Sequence, residues 1–340
     1  MRIVIVTDAW EPQVNGVVRT LRSVRAELER MGYHVALLTP DRFRSLPCPT
    51  YPEIRLALTG AEAIGRLIEA ERPDALHIAT EGPLGIAARR WCLRHGHAFT
   101  TAYHTQFPDY IESRSGIPAR WTWRFIRWFH GPSSAVLAST PTIRDALRVN
   151  GIPHVRHWGR GVDLSCFHPN HPLPEALAGL PRPIQLYVGR VAVEKNVEAF
   201  LDTRHPGTRV VVGDGPALEG LRRRYPDALF LGALSGDALA AAYAHSDALI
   251  FPSRTDTFGL VMIEALACGT PVAAYPVPGP IDVLSPETGR MDEDLEAAIV
   301  GALSLDRDAC TAYGQRFTWH ASALQFLEGL APLVGLYAAA

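Results

Sequence analysis

Residues 248–272 read ALIFPSRTDTFGLVMIEALACGTPV. The four apolar residues at the start predict a short buried strand that ends at Pro252. A polar loop then leads into a helix predicted to begin near Phe258, with its apolar residues facing a core. A second apolar run from Pro271 predicts the next strand. This order of strand, helix and strand is typical of a parallel α/β sheet.

Two carboxylates in this stretch, Asp256 and Glu264, suggest a ligand site. A helix that begins near Phe258 places Glu264 two turns in, about 9 Å along the axis from the loop that carries Asp256. Two acceptors at that separation suit a ligand with hydroxyls at both ends, such as a sugar nucleotide. The alternative interpretation is one carboxylate near a helix N-terminus and another solvated on its surface.

The same alternation of strands and helices runs through the chain in two series. The first series opens with the apolar strand 2–7 and the second with 184–188. Between them lies a proline-rich segment that predicts a linker. We therefore predict an α/β protein with two doubly wound, Rossmann-like domains. The predicted boundaries are 1–168 for the first domain, 169–183 for the linker, 184–318 for the second domain, and 319–340 for a C-terminal helix that crosses back to the first.

The composition agrees with two globular domains. With 340 residues, 47% of them hydrophobic, the chain is long for one core and suits two of about 170 residues. A formal charge of −2 gives no argument for a nucleic-acid partner. The five cysteines show neither a CxxC pair nor zinc spacing, which predicts reduced thiols in the cytoplasm. We expect no secretory peptide and no membrane-spanning helix.

Two cations follow the predicted strand 184–188. The sequence GRVAVEKNV, which begins at Gly189, places Arg190 and Lys195 between this strand and the next helix. Strand ends that lead into helices bind anions in α/β sheets through backbone N–H groups and the helix dipole. Two positive charges there suit a diphosphate. The spacing alone is equally compatible with a surface Arg and Lys that share no task.

These phrases together resemble the retaining glycosyltransferases of family 4. The family phrase Pro-Ser-x-x-Glu-x-Phe-Gly-x-x-x-x-Glu matches residues 252–264, except that Asp256 replaces the first Glu and keeps its charge on a shorter side chain. The family's Gly-Arg-x-x-x-x-Lys clamp for a diphosphate matches residues 189–195. The resemblance extends over residues 1–330 and implies the GT-B fold, in which two Rossmann-like domains face each other across a cleft.

The resemblance implies transfer of a hexose from a UDP-glucose or GDP-mannose type of donor to an acceptor hydroxyl. The anomeric configuration would be retained, and neither a metal nor a cofactor would be required. Arg190 and Lys195 would bind the donor phosphates, Asp256 would lie by the sugar, and Glu264 would bind the ribose. The further donor-binding residues that it implies are Gly16, Gly213, Asp214, Thr257, Phe258 and Gly259. The catalytic residues that it implies are His104, Asp256, Arg190 and Lys195.

The first domain supplies the histidine. Residues 103–110 read YHTQFPDY and follow a predicted strand. They resemble the family segment whose His reaches the donor sugar, which is the basis for predicting His104. Asp109 and Tyr110 are predicted acceptor contacts. Asn15 stands where the family usually has the first glycine of a Gly-Gly pair.

Other classes of enzyme fit less well. The loop at residues 8–16 has a single glycine and no G-x-G-x-x-G phrase, which argues against a dinucleotide-binding dehydrogenase.

The acidic segments 292–294 and 306–308 follow no strand, and we interpret them as solvated charge and predict no metal site. The sequence runs straight from residues 285–290 into a helix at 292–303, where the family has a strand, which predicts a shortened sheet edge. An epimerase or phosphorylase of related fold, a transferase with a soluble sugar or polysaccharide acceptor, and a non-catalytic sugar-nucleotide-binding protein are the alternatives.

Residues 119–130, ARWTWRFIRWFH, combine arginines and aromatic residues at helical spacing. Such a helix suits an interfacial anchor under anionic headgroups, or else an amphipathic helix with its aromatics in the core. The first interpretation predicts peripheral membrane contact through Arg120, Trp121, Arg124, Phe125, Arg127 and Trp128. The first loop and the Thr-Asp-Thr-Phe-Gly phrase look most like the lipid-glycosylating branch of the family. We therefore expect a glycolipid or phospholipid precursor as acceptor and a cytoplasmic protein at the inner face of the membrane.

Overall fold

The computed structural model describes residues 1–13, 15–48, 54–104 and 119–333. The chain forms two compact units. The first comprises Met1–Arg160 and the C-terminal residues from Trp319 onward, and the second comprises Gly161–Thr318.

The first unit contains eight strands in its described part. They are β1 Arg2–Val6, β2 His34–Leu38, β3 Ser45–Pro47, β4 Arg55–Ala57, β5 Ala75–Ile78, β6 Thr100–Tyr103, β7 Ala135–Ala138 and β8 Val155–His157. Six of them form a parallel sheet in the order β2-β1-β5-β6-β7-β8, and β3 and β4 form a separate antiparallel pair. The helices are α1 Gly16–Arg30, α2 Ala61–Glu71, α3 Pro83–His95, α4 Ala119–His130, α5 Pro141–Val149 and the last helix of the chain, α13 Trp319–Gly329.

Helices cover both faces of this first sheet. Along β1, Ile3 and Ile5 pack in one hydrophobic cluster, whereas Val4 and Val6 pack in another. Successive residues of a strand point to opposite faces, so the two clusters lie on opposite sides of the sheet. An uninterrupted apolar strand is what such burial requires, which explains the sequence of β1.

The last helix packs within the first unit. Ala323 and Phe326 of α13 join Leu21 and Leu28 of α1 in one hydrophobic cluster. A β-carbon on Gly329 would lie 2.5 Å from a methyl group of Leu137, so the helix approaches β7 closely at its C-terminal end. The chain thus leaves the first unit after Arg160 and rejoins it at Trp319.

The second unit is a parallel α/β sheet as well. Its strands are β9 Ile184–Val188, β10 Thr208–Val212, β11 Leu229–Gly232, β12 Ala248–Phe251, β13 Val272–Ala274 and β14 Gly289–Met291. Its helices are α6 Val197–Leu201, α7 Leu218–Arg224, α8 Gly236–Ala244, α9 Leu260–Ala267, α10 Pro280–Val283, α11 Leu295–Ala302 and α12 Arg307–Gly314. The strand order is β11-β10-β9-β12-β13-β14, with every neighbouring pair parallel.

Each of the two six-stranded sheets has a point where the direction of winding reverses. The reversal lies between β1 and β5 in the first unit and between β9 and β12 in the second. In open α/β sheets, ligands bind at the carboxyl ends of the strands at such a switch point. The two doubly wound parallel sheets confirm the predicted α/β class.

Some local predictions differ from the structure. Residues 161–183, predicted as the end of the first domain and a linker, group with the second unit, because Phe167 and Leu177 are buried in its core. The chain does not run straight from 285–290 into a helix, since β14 pairs with β13 and extends the sheet edge. The short strands β3, β4 and β8 were not predicted. No helix in the described residues is long and apolar enough to cross a membrane.

Candidate active site

An ion pair and a hydrogen bond connect the loops after β9 and β12 at the switch point of the second unit. Lys195 Nζ lies 2.5 Å from Asp256 Oδ1. Asn196 has a left-handed backbone with φ of 54° and donates from Nδ2 to the Pro252 carbonyl at 3.2 Å. The structure therefore brings together Lys195 and Asp256, two of the predicted site residues, at the sheet edge where ligands bind.

The Asp256 carboxyl is ionised at neutral pH. Burial raises its pKa, but the charge of Lys195 and hydrogen bonds from Lys195 and Ser253 outweigh this effect and hold the pKa below the ordinary 3.8. The two side chains keep 24% and 27% of their surface exposed. A ligand that carries phosphates and hydroxyls can therefore exchange with this ion pair.

Arg190 is held by two contacts close to the end of β9. Its Nη2 lies 3.0 Å from Glu194 Oε1, and its carbonyl accepts a hydrogen bond from the Tyr187 hydroxyl at 2.8 Å. Burial, followed by the charges of Asp256 and Glu194, raises the pKa of Tyr187, so the hydroxyl stays protonated and donates. Sequence reasoning missed Tyr187, which looks like one more apolar strand residue. It also missed Glu194, although this residue precedes Lys195 directly.

Glycines let the loops after β9 and β10 lie against each other. Gly189 N donates to Val212 O at 3.0 Å, and Val191 N donates to Asp214 O at 2.8 Å. At Gly213, where φ is 145°, a β-carbon would lie 1.8 Å from the Gly189 carbonyl oxygen. Any side chain at 213 would force the two loops apart, which gives this predicted glycine a structural role.

The helix that carries Glu264 differs from the prediction in its start. α9 begins at Leu260, so Glu264 is one turn into the helix, about 6 Å along the axis from its first residue, rather than two turns. Glu264 is 2% exposed and accepts a hydrogen bond from the Tyr243 hydroxyl at 3.1 Å. Phe258 is 7% exposed and belongs to the core. Its predicted contact with the donor would therefore have to be made by its backbone.

The remaining predicted donor-binding residues of the second unit lie in the loops after β10 and β12. Thr257 is 8% exposed. Gly259 has a left-handed backbone with φ of 81°, and a β-carbon there would lie 2.9 Å from the Phe251 ring. Asp214, in the loop after β10, is exposed and accepts from Gly215 N at 2.7 Å. These residues shape the loops that flank the Lys195–Asp256 pair.

His104 follows β6 in the first unit and is neutral. Arg160 Nη2 lies 3.1 Å from His104 Nδ1, so Nδ1 accepts and the proton is assigned to Nε2. Burial, followed by the positive charge of Arg160, holds the pKa of His104 well below its ordinary 6.5. His104 is therefore suited to donate a hydrogen bond through Nε2 and not to carry charge.

Asn15 explains one departure from the family pattern. It is the N-cap of α1, and its Oδ1 accepts from Val17 N and Val18 N, both at 3.0 Å. Gly16 is the exposed first residue of the helix. The predicted acceptor contacts Asp109 and Tyr110 lie outside the described residues.

The aromatic and arginine side chains of α4 lie largely on the surface. Trp121 is 53%, Phe125 38% and Trp128 41% exposed, whereas Ile126 and Phe129 are buried. The interpretation that the aromatics pack in the core is therefore wrong for these three residues. The arginines of the helix, Arg120, Arg124 and Arg127, are also exposed. Arg124 lies over the Trp121 ring at 5.9 Å, so charge and aromatic surface adjoin.

The acidic segments cap helices. Asp294 Oδ1 accepts from Glu296 N at the start of α11, and Asp306 Oδ1 accepts from Asp308 N at the start of α12. Across the described part of the chain, no group of three His, Cys, Asp or Glu side chains is placed to hold a metal ion. The expectation of a metal-independent enzyme stays a prediction.

Comparisons with known proteins agree with these features. A model described as Glycosyltransferase Family 4 matches residues 14–165, and one described as Glycosyl transferases group 1 matches residues 182–305. A GDP-mannose-dependent alpha-mannosyltransferase of Mycolicibacterium smegmatis is 33% identical over 331 residues, covering 89% of this chain and 88% of that protein. An alpha-monoglucosyldiacylglycerol synthase of Streptococcus pneumoniae is 28% identical over 346 residues, covering 89% and 78%.

Solved structures share the fold. Sucrose-phosphate synthase of Thermosynechococcus elongatus superposes with a TM-score of 0.77 at 24% identity, covering 96% of this chain and 97% of that one. Two doubly wound sheets of six parallel strands each, together with this likeness, define the GT-B fold. The chain belongs to glycosyltransferase family 4, and its relatives include mannosyl- and glucosyltransferases whose names specify lipid acceptors.

Proposed function

We propose that this protein is a retaining, metal-independent hexosyltransferase that glycosylates a membrane lipid from a nucleotide-sugar donor. The Lys195–Asp256 ion pair at the switch point of the second unit is the observation that carries the proposal. It places a cation for phosphate and an acceptor for sugar hydroxyls 2.5 Å apart, on loops fixed to each other.

The donor that we propose is GDP-mannose. Three relatives that are 30–33% identical to this chain are named as GDP-mannose-dependent mannosyltransferases. Arg190 and Lys195 would replace their carboxylate partners with the donor diphosphate and stabilise the charge that develops on the leaving group. Asp256, released from Lys195, would accept hydrogen bonds from the sugar.

Transfer with retention would occur on one face of the sugar. The acceptor oxygen bonds to the anomeric carbon while the bond from that carbon to the phosphate oxygen breaks. The proton of the acceptor hydroxyl passes to a phosphate oxygen of the leaving nucleoside diphosphate. Neutral His104 would donate from Nε2 to a sugar oxygen and would take no part in the proton transfer.

The exposed face of α4 supports contact with a membrane. Indole rings at 53% and 41% exposure beside arginines suit the interface between headgroups and acyl chains, where aromatic rings insert and cations meet anionic lipids. Arg120→Glu, Arg124→Glu and Arg127→Glu together are expected to abolish binding to phosphatidylglycerol vesicles in a flotation assay.

A matched control tests whether α4 itself is responsible. The triple variant Arg222→Glu, Arg223→Glu and Arg224→Glu changes the net charge equally in an exposed run of the second unit. It should bind the vesicles like the wild type. If both triple variants lose vesicle binding equally, the effect is due to the change in net charge, which would contradict the proposal for α4.

The proposed activity is tested by nucleotide release. We expect release of GDP from GDP-mannose that is stimulated by anionic vesicles carrying phosphatidylinositol or diacylglycerol, and that persists in EDTA. UDP-glucose is the comparison donor. Release that does not respond to lipid would favour a soluble sugar or polysaccharide acceptor. Nucleotide binding without turnover of any donor would favour a non-catalytic sugar-nucleotide-binding protein.

A further inference from the structure

A group of basic side chains lies at the carboxyl end of the sheet in the first unit. It consists of His104, Arg144, His157 and Arg160, which we call the basic cluster. His104 directly follows β6, Arg144 is the fourth residue of α5 after β7, and His157 ends β8 with Arg160 three residues beyond. The carboxyl ends of parallel strands meet at one edge, and this edge is where α/β sheets bind ligands.

Arg160 is a buried cation whose described partners are all uncharged. It is 8% exposed, and its Nη1 donates to the carbonyls of Trp158 and Gly159 at 2.7 and 3.1 Å. Its Nη2 donates to neutral His104. Burial lowers the pKa of Arg160 to about 9, and no carboxylate of the described residues offsets this effect. A buried charge without a counter-ion is costly, so an anion at this place would be stabilising.

The surroundings of Arg160 add positive charge and unused donors. Desolvation, then the charges of Arg144 and Arg160, lower the pKa of His157, and the charge of Arg160 acts in the same direction on His104. Arg144 Nε and Ser139 Oγ are buried and have no hydrogen-bond partner within the described ranges. Ser139 is 2% exposed and links β7 to α5, whose first turn has no acidic residue. Several donors are thus gathered at this strand end, and no described carboxylate pairs with them.

We propose that the basic cluster binds the phosphate group of a phosphorylated acceptor. Phosphate presents several oxygens that accept simultaneously from guanidinium forks, imidazole and hydroxyl groups, which matches the donors present. This inference rests on the proposed function and specifies its acceptor. The donor diphosphate already has Arg190 and Lys195 in the second unit. The cluster instead adjoins His104, the residue predicted to contact the sugar that is transferred.

The test uses glycerol 1-phosphate as the probe and the full-length protein saturated with GDP, so that the donor cations are occupied. Arg144→Gln and His157→Gln are suitable variants, because Arg144 is only half-buried and His157 is exposed. Each is expected to weaken binding of the probe about tenfold in isothermal titration, as loss of one charge-assisted hydrogen bond does. Arg148→Gln is the matched control, since Arg148 is exposed on the same helix and pairs only with Asp145 in the described structure.

Two binding results count against the proposal: unchanged affinity in both cluster variants, and no binding of the probe to the wild type at any concentration tried. Either result would overturn the proposal if the variants also have no effect on turnover with phosphatidylinositol. Binding of GDP in the same experiment reports separately on the proposed function. If GDP fails to bind while Arg144→Gln still weakens binding of the phosphate, the proposed GDP-mannose donor fails and the phosphate site stands.

The source of the phosphate is identified by turnover. The KM for phosphatidylinositol, in phosphatidylcholine vesicles with GDP-mannose, is measured for the same variants. A raised KM in Arg144→Gln and His157→Gln, and not in Arg148→Gln, assigns the phosphate to a lipid headgroup. An effect restricted to glycerol 1-phosphate assigns it to a soluble phosphorylated acceptor. Either result supports the basic cluster as a phosphate site.

Discussion

The loops of the two units arrange their cations in opposite ways. In the second unit each predicted phosphate-binding cation has a carboxylate partner, Lys195 with Asp256 at 2.5 Å and Arg190 with Glu194 at 3.0 Å. In the first unit the buried Arg160 contacts only carbonyls, an aromatic ring and a neutral imidazole in the described structure. One site is balanced by its own side chains, and the other has an excess of positive charge.

This difference indicates two ways to receive an anion. Where carboxylates already neutralise the cations, a diphosphate would have to displace them, and under the proposed function Asp256 would become available for the sugar only when the donor is bound. Where no carboxylate is present, an anion adds directly and removes a desolvation penalty. The balanced site would thus couple binding of the donor to placement of a functional side chain.

The largest effect on kcat/KM is expected from removing Lys195, the cation of the Lys195–Asp256 pair. Lys195→Ala should lower kcat/KM for the donor by about 100-fold to 1000-fold, because it removes one preorganised donor to the developing phosphate charge. Steady-state release of GDP measures it. Arg222→Ala, an exposed cation that pairs with Glu219, should leave the rate unchanged. Similar rates in Lys195→Ala and Arg222→Ala would contradict the assignment.

The carboxylate of the pair should matter for its charge more than for its length. Asp256→Asn should lower kcat/KM by about 100-fold, since it loses a charge-assisted contact worth about 1.5–3 kcal/mol and leaves Lys195 without its partner. Asp256→Glu keeps the charge and should stay within about tenfold of the wild type. If Asp256→Asn and Asp256→Glu lower kcat/KM equally, the length of the side chain, and not its charge, decides the role of Asp256.

Part of the fold and part of the candidate site can be predicted from the sequence. The alternation of apolar strands and helices predicts both sheets, because burial on two faces demands runs such as that of β1. The spacing of Arg190 and Lys195 leaves their role open, and it is the resemblance to family 4 that predicts a donor site at Arg190, Lys195 and Asp256. Tyr187 could not be predicted as part of that site, because its role depends on a hydroxyl contact with a backbone carbonyl.

The grouping of the basic cluster could not be predicted from the sequence either. Arg144, His157 and Arg160 belong to different elements, and only the order of β6, β7 and β8 gathers them at one sheet edge. The exposure of α4 was left open for a similar reason. Helical spacing defines which residues share a face, but whether that face meets a core depends on packing against the rest of the unit.

A smaller effect is expected at Tyr187, which positions Arg190 without offering a charge. Tyr187→Phe should lower kcat/KM about fivefold to tenfold, because a single neutral hydrogen bond to the Arg190 carbonyl contributes about 1 kcal/mol. The folded structure should be kept, since the ring remains in the core. A loss as large as that of Lys195→Ala would show that Tyr187 contacts the substrate directly.

The smallest effect is expected at His104, which should not titrate near neutrality. Because burial and Arg160 depress its pKa well below 6.5, the ring stays neutral from about pH 6 to pH 8. Its ring resonances, assigned by comparison with His104→Gln, should not shift over this range in NMR spectra. A midpoint at or above pH 6.5 would show that His104 becomes charged near neutrality and that the first-unit site differs from the one described.

The most direct test of the account is calorimetric binding of GDP to the wild type, to the double variant Arg190→Ala and Lys195→Ala, and to Arg222→Ala. We expect equal affinity for the wild type and Arg222→Ala. We expect an affinity at least about 100-fold weaker for the double variant, from loss of two charge-assisted contacts. Equal affinity in all three proteins would contradict the claim that the loops after β9 and β12 bind the donor diphosphate.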